Sequence, residues 1–308
     1  MSAMCQAGVW PNCCNSCRFC LREERIPYNK SEQLNKLERL KENIKYLDWK
    51  DEFSYGISLL GGELYFITDQ ELQDAFMSLV DVIIKYILKV SPNPNCKYST
   101  VTNGLYDPAF LYRVIDRIVS EVGINKVDVN FSYDLKYRFR KKSDAELVLK
   151  NINEFHKRYN YDVGVQMILT QYVIDLWKKG EFDVNTFVKK NIPGNHLAFL
   201  YPHPIHTGYK LRDFNFKRRD FLEYIGYVQA NDPLLYMNFL HSVKNSGTFK
   251  ATMLQEPDAD PKTDHPHLTN GKEILNPKCG HSILYQCYAD SDRCMLCDLL
   301  SLDKSTFL

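Results

Sequence analysis

The 308-residue sequence reads as an α/β protein whose parallel sheet is open or partly closed into a barrel. Apolar runs of strand length alternate with helix-length amphipathic segments up to about residue 205, and such alternation places helices outside a parallel sheet. The units number six, too few for the eightfold barrel. With 44% apolar and 25% charged residues, the chain can also bury a full core.

A short strand before Cys13 opens the series. Ser31 then caps a helix carrying Leu34, Leu37, Leu40, Ile44 and Leu47. Tyr55–Leu60 is a strand ending in Gly61-Gly62-Glu63. Thr68 and Glu71 form a capping box for an amphipathic helix to about Val90. The strand Lys97–Thr102 ends in Asn103-Gly104, and Asp107 caps a helix with Pro108 in its first turn. Lys126–Ser132 alternates as a strand. Ser143 and Glu146 make a second capping box, for a helix ending near Arg158. A strand Asp162–Leu169, a helical region Val173–Lys190 and a strand His196–Leu200 complete the set. The division expected is a barrel over 1–205, a helical connection over 206–254 and a cysteine-rich extension over 255–308. In such sheets ligands collect at the C-terminal strand ends, where Gly61, Gly62, Glu63, Asn103, Ser132 and Tyr201 fall.

Charge and hydropathy exclude several classes. A net charge of +1 exerts no global pull on nucleic acid or anionic lipid. No signal peptide or membrane-spanning run is visible, so a cytoplasmic location without membrane contact is expected. In a reducing compartment, ten cysteines point to metal rather than to disulfides. Eight of them fall into two groups, leaving Cys5 and Cys96 alone.

The first group, Cys13-Cys14-Asn15-Ser16-Cys17-Arg18-Phe19-Cys20, holds two registers. Cys14, Cys17 and Cys20 have the ferredoxin spacing, but its fourth cysteine and proline are replaced by Glu24 and Arg25. Cys13, Cys17 and Cys20 read C-x3-C-x2-C. A zinc loop would need a fourth ligand, and no histidine is near.

This C-x3-C-x2-C loop after a first strand, with Gly61-Gly62-Glu63 closing the second, resembles the radical S-adenosylmethionine superfamily. The resemblance covers roughly residues 5 to 205 and implies a partial (β/α)6 radical SAM barrel. It implies that Cys13, Cys17 and Cys20 bind three irons of a [4Fe–4S] cluster, leaving one for the amino and carboxylate groups of S-adenosylmethionine. A cluster electron then releases a 5′-deoxyadenosyl radical that takes a hydrogen from substrate, and a donor such as flavodoxin or ferredoxin supplies the electron. Phe19 would lie against the adenine, the backbone at Gly61 and Gly62 would approach the cofactor, and Glu63 would pair with its amino group. Asn103 and Ser132 resemble the polar positions that hold ribose or carboxylate; Gln166 and Tyr201 could face the adenosine.

The second group, Cys279, Cys287, Cys294 and Cys297, supplies four thiolates, which suit a second [4Fe–4S] cluster or zinc alike, with His281 as an alternate zinc ligand. It is similar to the SPASM and twitch extensions of peptide-modifying members, although four cysteines fall short of the seven in a full SPASM domain. A second cluster is favoured over zinc. Substrate stays open among a peptide or protein side chain, a nucleoside or nucleic-acid base, and a small metabolite. Basic–aromatic stretches at Lys136–Lys142 and Tyr209–Arg219 could track phosphates, an acidic peptide or only solvent. A zinc-stabilised nucleic-acid-binding protein without redox chemistry is the rival reading.

Overall fold

The computed structural model describes residues 4–9, 13–15, 17, 29–45, 56–90, 96–136, 138–200, 217–245 and 252–253. Its centre is one sheet of seven strands, every pair parallel, in the order β6-β5-β4-β3-β2-β1-β7. The strands are β1 (Met4–Gly8), β2 (Gly56–Leu60), β3 (Tyr98–Thr102), β4 (Val127–Ser132), β5 (Gly164–Ile168), β6 (Leu197–Leu200) and the short β7 (Thr252–Met253). From β1 to β6 each strand is laid beside its predecessor on the same side. Parallel crossovers are right-handed, so such an order puts the connecting helices on one face and leaves the other concave. This is the α/β partial barrel expected.

The helices are α1 (Lys30–Lys45), α2 (Gln70–Lys89), α3 (Ala109–Val122), α4 (Lys142–Tyr159), α5 (Gln171–Lys178) and α6 (Val184–Asn191), followed by α7 (Arg218–Asn231) and α8 (Pro233–Asn245). α2 shows how the layer is held: Leu72, Phe76, Leu79, Val80, Ile83 and Ile87 form one helical stripe and all are buried. Opposite, the sheet offers Ile57, Leu59, Val127, Val129, Phe131, Val165, Met167 and Phe199, also buried. Each is worth about 1.5–3 kcal/mol of burial. Period-two alternation then turns Asp128, Asn130 and Ser132 of β4 to the concave face. Ser99 joins them, donating to Asp128 Oδ2 at 3.1 Å, and Gln166 lies opposite Ser132 in register.

Four local expectations shift. Asn29, not Ser31, caps α1, its side-chain oxygen accepting from Glu32 N–H at 3.2 Å, and Ser31 falls inside the helix. Asp69, not Thr68, caps α2, its carboxylate accepting from Leu72 N–H at 3.1 Å. A carboxylate one residue nearer the first turn displaces the hydroxyl. At α4, Asp144 rather than Glu146 reaches back, accepting from Arg140 N–H at 3.0 Å and Lys141 N–H at 3.3 Å. The helical region over 173–190 is two helices, broken at Gly180, whose φ of 70° is left-handed, and restarted by Asp183. Among the described residues, no helix is long and apolar enough to cross a membrane.

Candidate functional site

Parallel strands bring their C-terminal ends to one edge. The loops after β1, β2 and β3 carry the cysteines, Gly61-Gly62-Glu63 and Asn103-Gly104 to that edge. Asn103 joins all three. Its backbone N–H donates to Glu63 Oε2 at 2.6 Å, and its carboxamide Nδ2 lies 3.4 Å from both Cys13 Sγ and Cys14 Sγ. Its Oδ1 accepts from Leu105 N–H at 2.8 Å, closing an Asx turn that fixes the side chain. Gly104 follows with φ 64°, where a Cβ would sit 3.0 Å from the buried Phe131 ring, so a side chain there would strain the turn.

Glu63 is 1% exposed. Thr102 Oγ1 donates to its Oε1 at 2.9 Å and Tyr65 N–H reaches the same oxygen at 3.5 Å. Thr102 has one proton, so once that goes to Glu63 the Tyr106 hydroxyl is the donor in the 2.7 Å contact to Thr102. Burial outweighs these donors and lifts the Glu63 carboxyl from 4.5 to about 7, with the nearby Cys13 adding to the rise. The carboxyl is therefore poised near neutrality, where a cationic partner would ionise it fully.

The cysteine loop is asymmetric. Cys13, the exposed member, is lowered to about 6 by the hydrogen bond from Cys14, with help against burial from Asn15 N–H, the Arg138 charge and Asn103. Cys14 is half-buried, packs against the core and is held above the ordinary thiol range by that same bond and by burial. Asn15 donates its backbone N–H to Cys13 Sγ and its side-chain N–H to Cys17 Sγ, both at 3.4 Å. Two thiol sulfurs met by converging N–H groups suit a thiolate-bound iron–sulfur centre, whose sulfurs are stabilised by such bonds. Among the described residues no three metal-ligating side chains come together. The third cysteine of the register, Cys20, lies outside those residues, as do Phe19, Tyr201, Cys279, Cys287, Cys294 and Cys297.

Of the remaining expected residues, Gly61 and Gly62 stand half-buried at the end of β2. Ser132 and Gln166 lie side by side on the concave face. The sequence pattern did not single out Asn15, Thr102, Tyr106, Asp134 or Arg138. Arg138 belongs to the basic stretch 136–142, yet its side chain is only 13% exposed and its Nε donates to Asp134 Oδ2 at 2.5 Å. Asp134 Oδ1 accepts from Ile168 N–H at 2.7 Å, so this ion pair fastens the β4–α4 loop to the end of β5. Phe139 packs edge-on to Tyr133, and Lys136 sits 4.5 Å over the Tyr172 ring.

No protein-family model and no curated protein matches the sequence. Among solved structures, the chain is similar to a histidine-tagged anSMEcpe with bound AdoMet. The TM-score is 0.51 and the identity 14%, over 79% of this chain and 66% of that one. Native anSMEcpe with bound AdoMet and Kp18Cys peptide gives a TM-score of 0.48 at 16% identity, over 78% and 66%. The chain thus spans just under two thirds of the length of these structures. At such identities what is shared is the fold.

Proposed function

We propose that the chain is a radical S-adenosylmethionine enzyme holding a [4Fe–4S] cluster on Cys13, Cys17 and Cys20. The observation that carries the reading is the single hydrogen-bonded unit of Cys13, Asn103 and Glu63 at the C-terminal edge of a parallel sheet. The shared fold of a structure with AdoMet bound supports it. Such a cluster, when bound, supplies the electron that splits a carbon–sulfur bond of the cofactor and yields a 5′-deoxyadenosyl radical.

The chain's own residues divide the remaining work. The ionised Glu63 receives the positive amino group of the methionine moiety. Asn103 N–H and the Thr102 hydroxyl hold that carboxylate in place. Because Glu63 titrates near 7, uptake of a cationic group below that pH expels a proton, and affinity rises as the pH is raised. Asn15 and Asn103 direct N–H groups at the cysteine sulfurs, offsetting their negative charge. Ser132 and Gln166 on the concave face offer hydrogen bonds to the adenosine.

The terminal cysteines Cys279, Cys287, Cys294 and Cys297 hold a second cluster or zinc in this reading. Their likeness to peptide-modifying extensions favours a peptide or protein side chain as substrate, ahead of a nucleoside or nucleic-acid base. Flavodoxin or ferredoxin is the reductant. The test is anaerobic reconstitution with iron and sulfide, then dithionite and S-adenosylmethionine, with 5′-deoxyadenosine measured. Product is expected, lost in Cys17→Ala and retained in Cys5→Ala and Cys96→Ala. A folded, reconstituted protein that forms none sinks the proposal.

A further inference from the structure

Two adjacent cysteines, Cys13 and Cys14, compete for one place in the cluster spacing. The fold treats them differently. Cys13 is exposed, and its sulfur accepts the Asn15 backbone N–H at 3.4 Å. The Asn15 carboxamide donates to Cys17 Sγ at 3.4 Å and to the Arg138 carbonyl at 2.8 Å. One residue therefore engages both sulfurs of the C-x3-C register and ties them to the β4–α4 loop.

Cys14 is turned toward the core, against which it packs. Its sulfur lies against one carboxamide, 3.6 Å from Asn103 Oδ1 and accepting from Asn103 Nδ2 at 3.4 Å, while its single proton goes to Cys13. Asn103 cannot easily follow it elsewhere, because Leu105 N–H and the backbone bond to Glu63 hold it. The same Nδ2 reaches Cys13 Sγ at 3.4 Å, so the amide spans the two competing sulfurs.

We infer that Asn15 and Asn103 are positioning residues that set the cluster register: Asn15 presents Cys13 and Cys17, while Asn103 withholds Cys14. The inference rests on the cluster reading above and deepens it. Cys14, Cys17 and Cys20 have a spacing that binds clusters in ferredoxins, so Cys14 is a competent ligand kept out by its clasp rather than by its place in the sequence.

The experiment is anaerobic reconstitution of the full chain. It reads iron and sulfide content and the electron paramagnetic resonance of the dithionite-reduced protein. Cys14→Ala keeps the wild-type iron content, Cys13→Ala loses most of it, and Cys13→Ala with Asn103→Ala recovers at least half, with an altered resonance. Recovery of a cluster is something a merely structural asparagine would not produce. Asn103→Ser, which keeps a hydroxyl for Leu105 N–H, repeats the rescue if the alanine variant fails to fold. The inference is overturned if Cys14→Ala empties the site while Cys13→Ala does not, or if both folded double variants stay empty. Wild-type protein that takes up no iron fails the cluster reading itself, before any variant is compared.

Discussion

Replacing Glu63 by glutamine removes one titration from the folded protein, and the burial sets its size. Three donors face the carboxylate, from Asn103 N–H at 2.6 Å, Thr102 Oγ1 at 2.9 Å and Tyr65 N–H at 3.5 Å, yet desolvation at 1% exposure prevails. Lifting the group from 4.5 to about 7 disfavours its ionised form by about 3 kcal/mol, at about 1.4 kcal/mol per pH unit. Between those two pH values the folded chain holds a proton that the unfolded chain releases. The contribution is therefore fully present below pH 4.5 and lost as the pH rises through 7. Glutamine offers one acceptor where the carboxylate offers two, and a stranded N–H costs about 1–3 kcal/mol. That penalty does not vary with pH, so it leaves the slope untouched. Urea unfolding of metal-free wild type and Glu63→Gln from pH 4.5 to 8.5 reads the difference. Wild type should fall by about 3 kcal/mol relative to the variant. Parallel profiles, or a wild type that gains on the variant as the pH rises, would refute the claim that burial outweighs the donors.

Other outcomes follow from neighbouring groups. In metal-free protein, alkylation of Cys13 by iodoacetamide, followed by peptide mass spectrometry, should show a midpoint near pH 6. Cys14→Ala should move that midpoint upward, since the Cys14 bond is the largest cause of the lowering. Asp134→Asn keeps an acceptor for Ile168 N–H but strips the charge beside a largely buried guanidinium, and thermal unfolding should show a loss of about 3–5 kcal/mol. Adding Arg138→Met should restore most of it. Gly104→Ala combines a left-handed φ with a 3.0 Å approach to the Phe131 ring, and should lower stability by about 1–3 kcal/mol in a denaturant titration.

The framework could be read from the sequence because strand and helix periods speak directly of burial. Val127, Val129 and Phe131 alternate with polar residues as a one-faced strand must, and the stripe of α2 needs no tertiary knowledge. Glu63 and Asn103 were likewise visible, because each sits where a strand stops. What could not be read were interactions decided by tertiary approach. Arg138 looks like one cation among several; only the fold brings Asp134 and the end of β5 around it. Asn15 lies between cysteines in the motif, but its two sulfur contacts depend on the turn of the loop. Thr102 reads as the last residue of a β-branched strand, and its bond to Glu63 spans 39 positions. Polar side chains inside and beside a ligand motif are the signal that could have found them.

The two residues of β7 pair with Cys5 and Gln6 of β1, joining segments that ribosomal synthesis separates by nearly the whole described chain. During translation β1 can dock on β2 early, but its outer backbone edge gains this partner only after both later helices have been made. For that interval it lacks a second strand partner among the described residues, and such an edge can pair with other nascent chains. The strand that leads into the cysteine loop is thus the last inner strand of the described sheet to gain its second partner. Yield in a cell should then depend on how quickly residues past 250 are delivered to it.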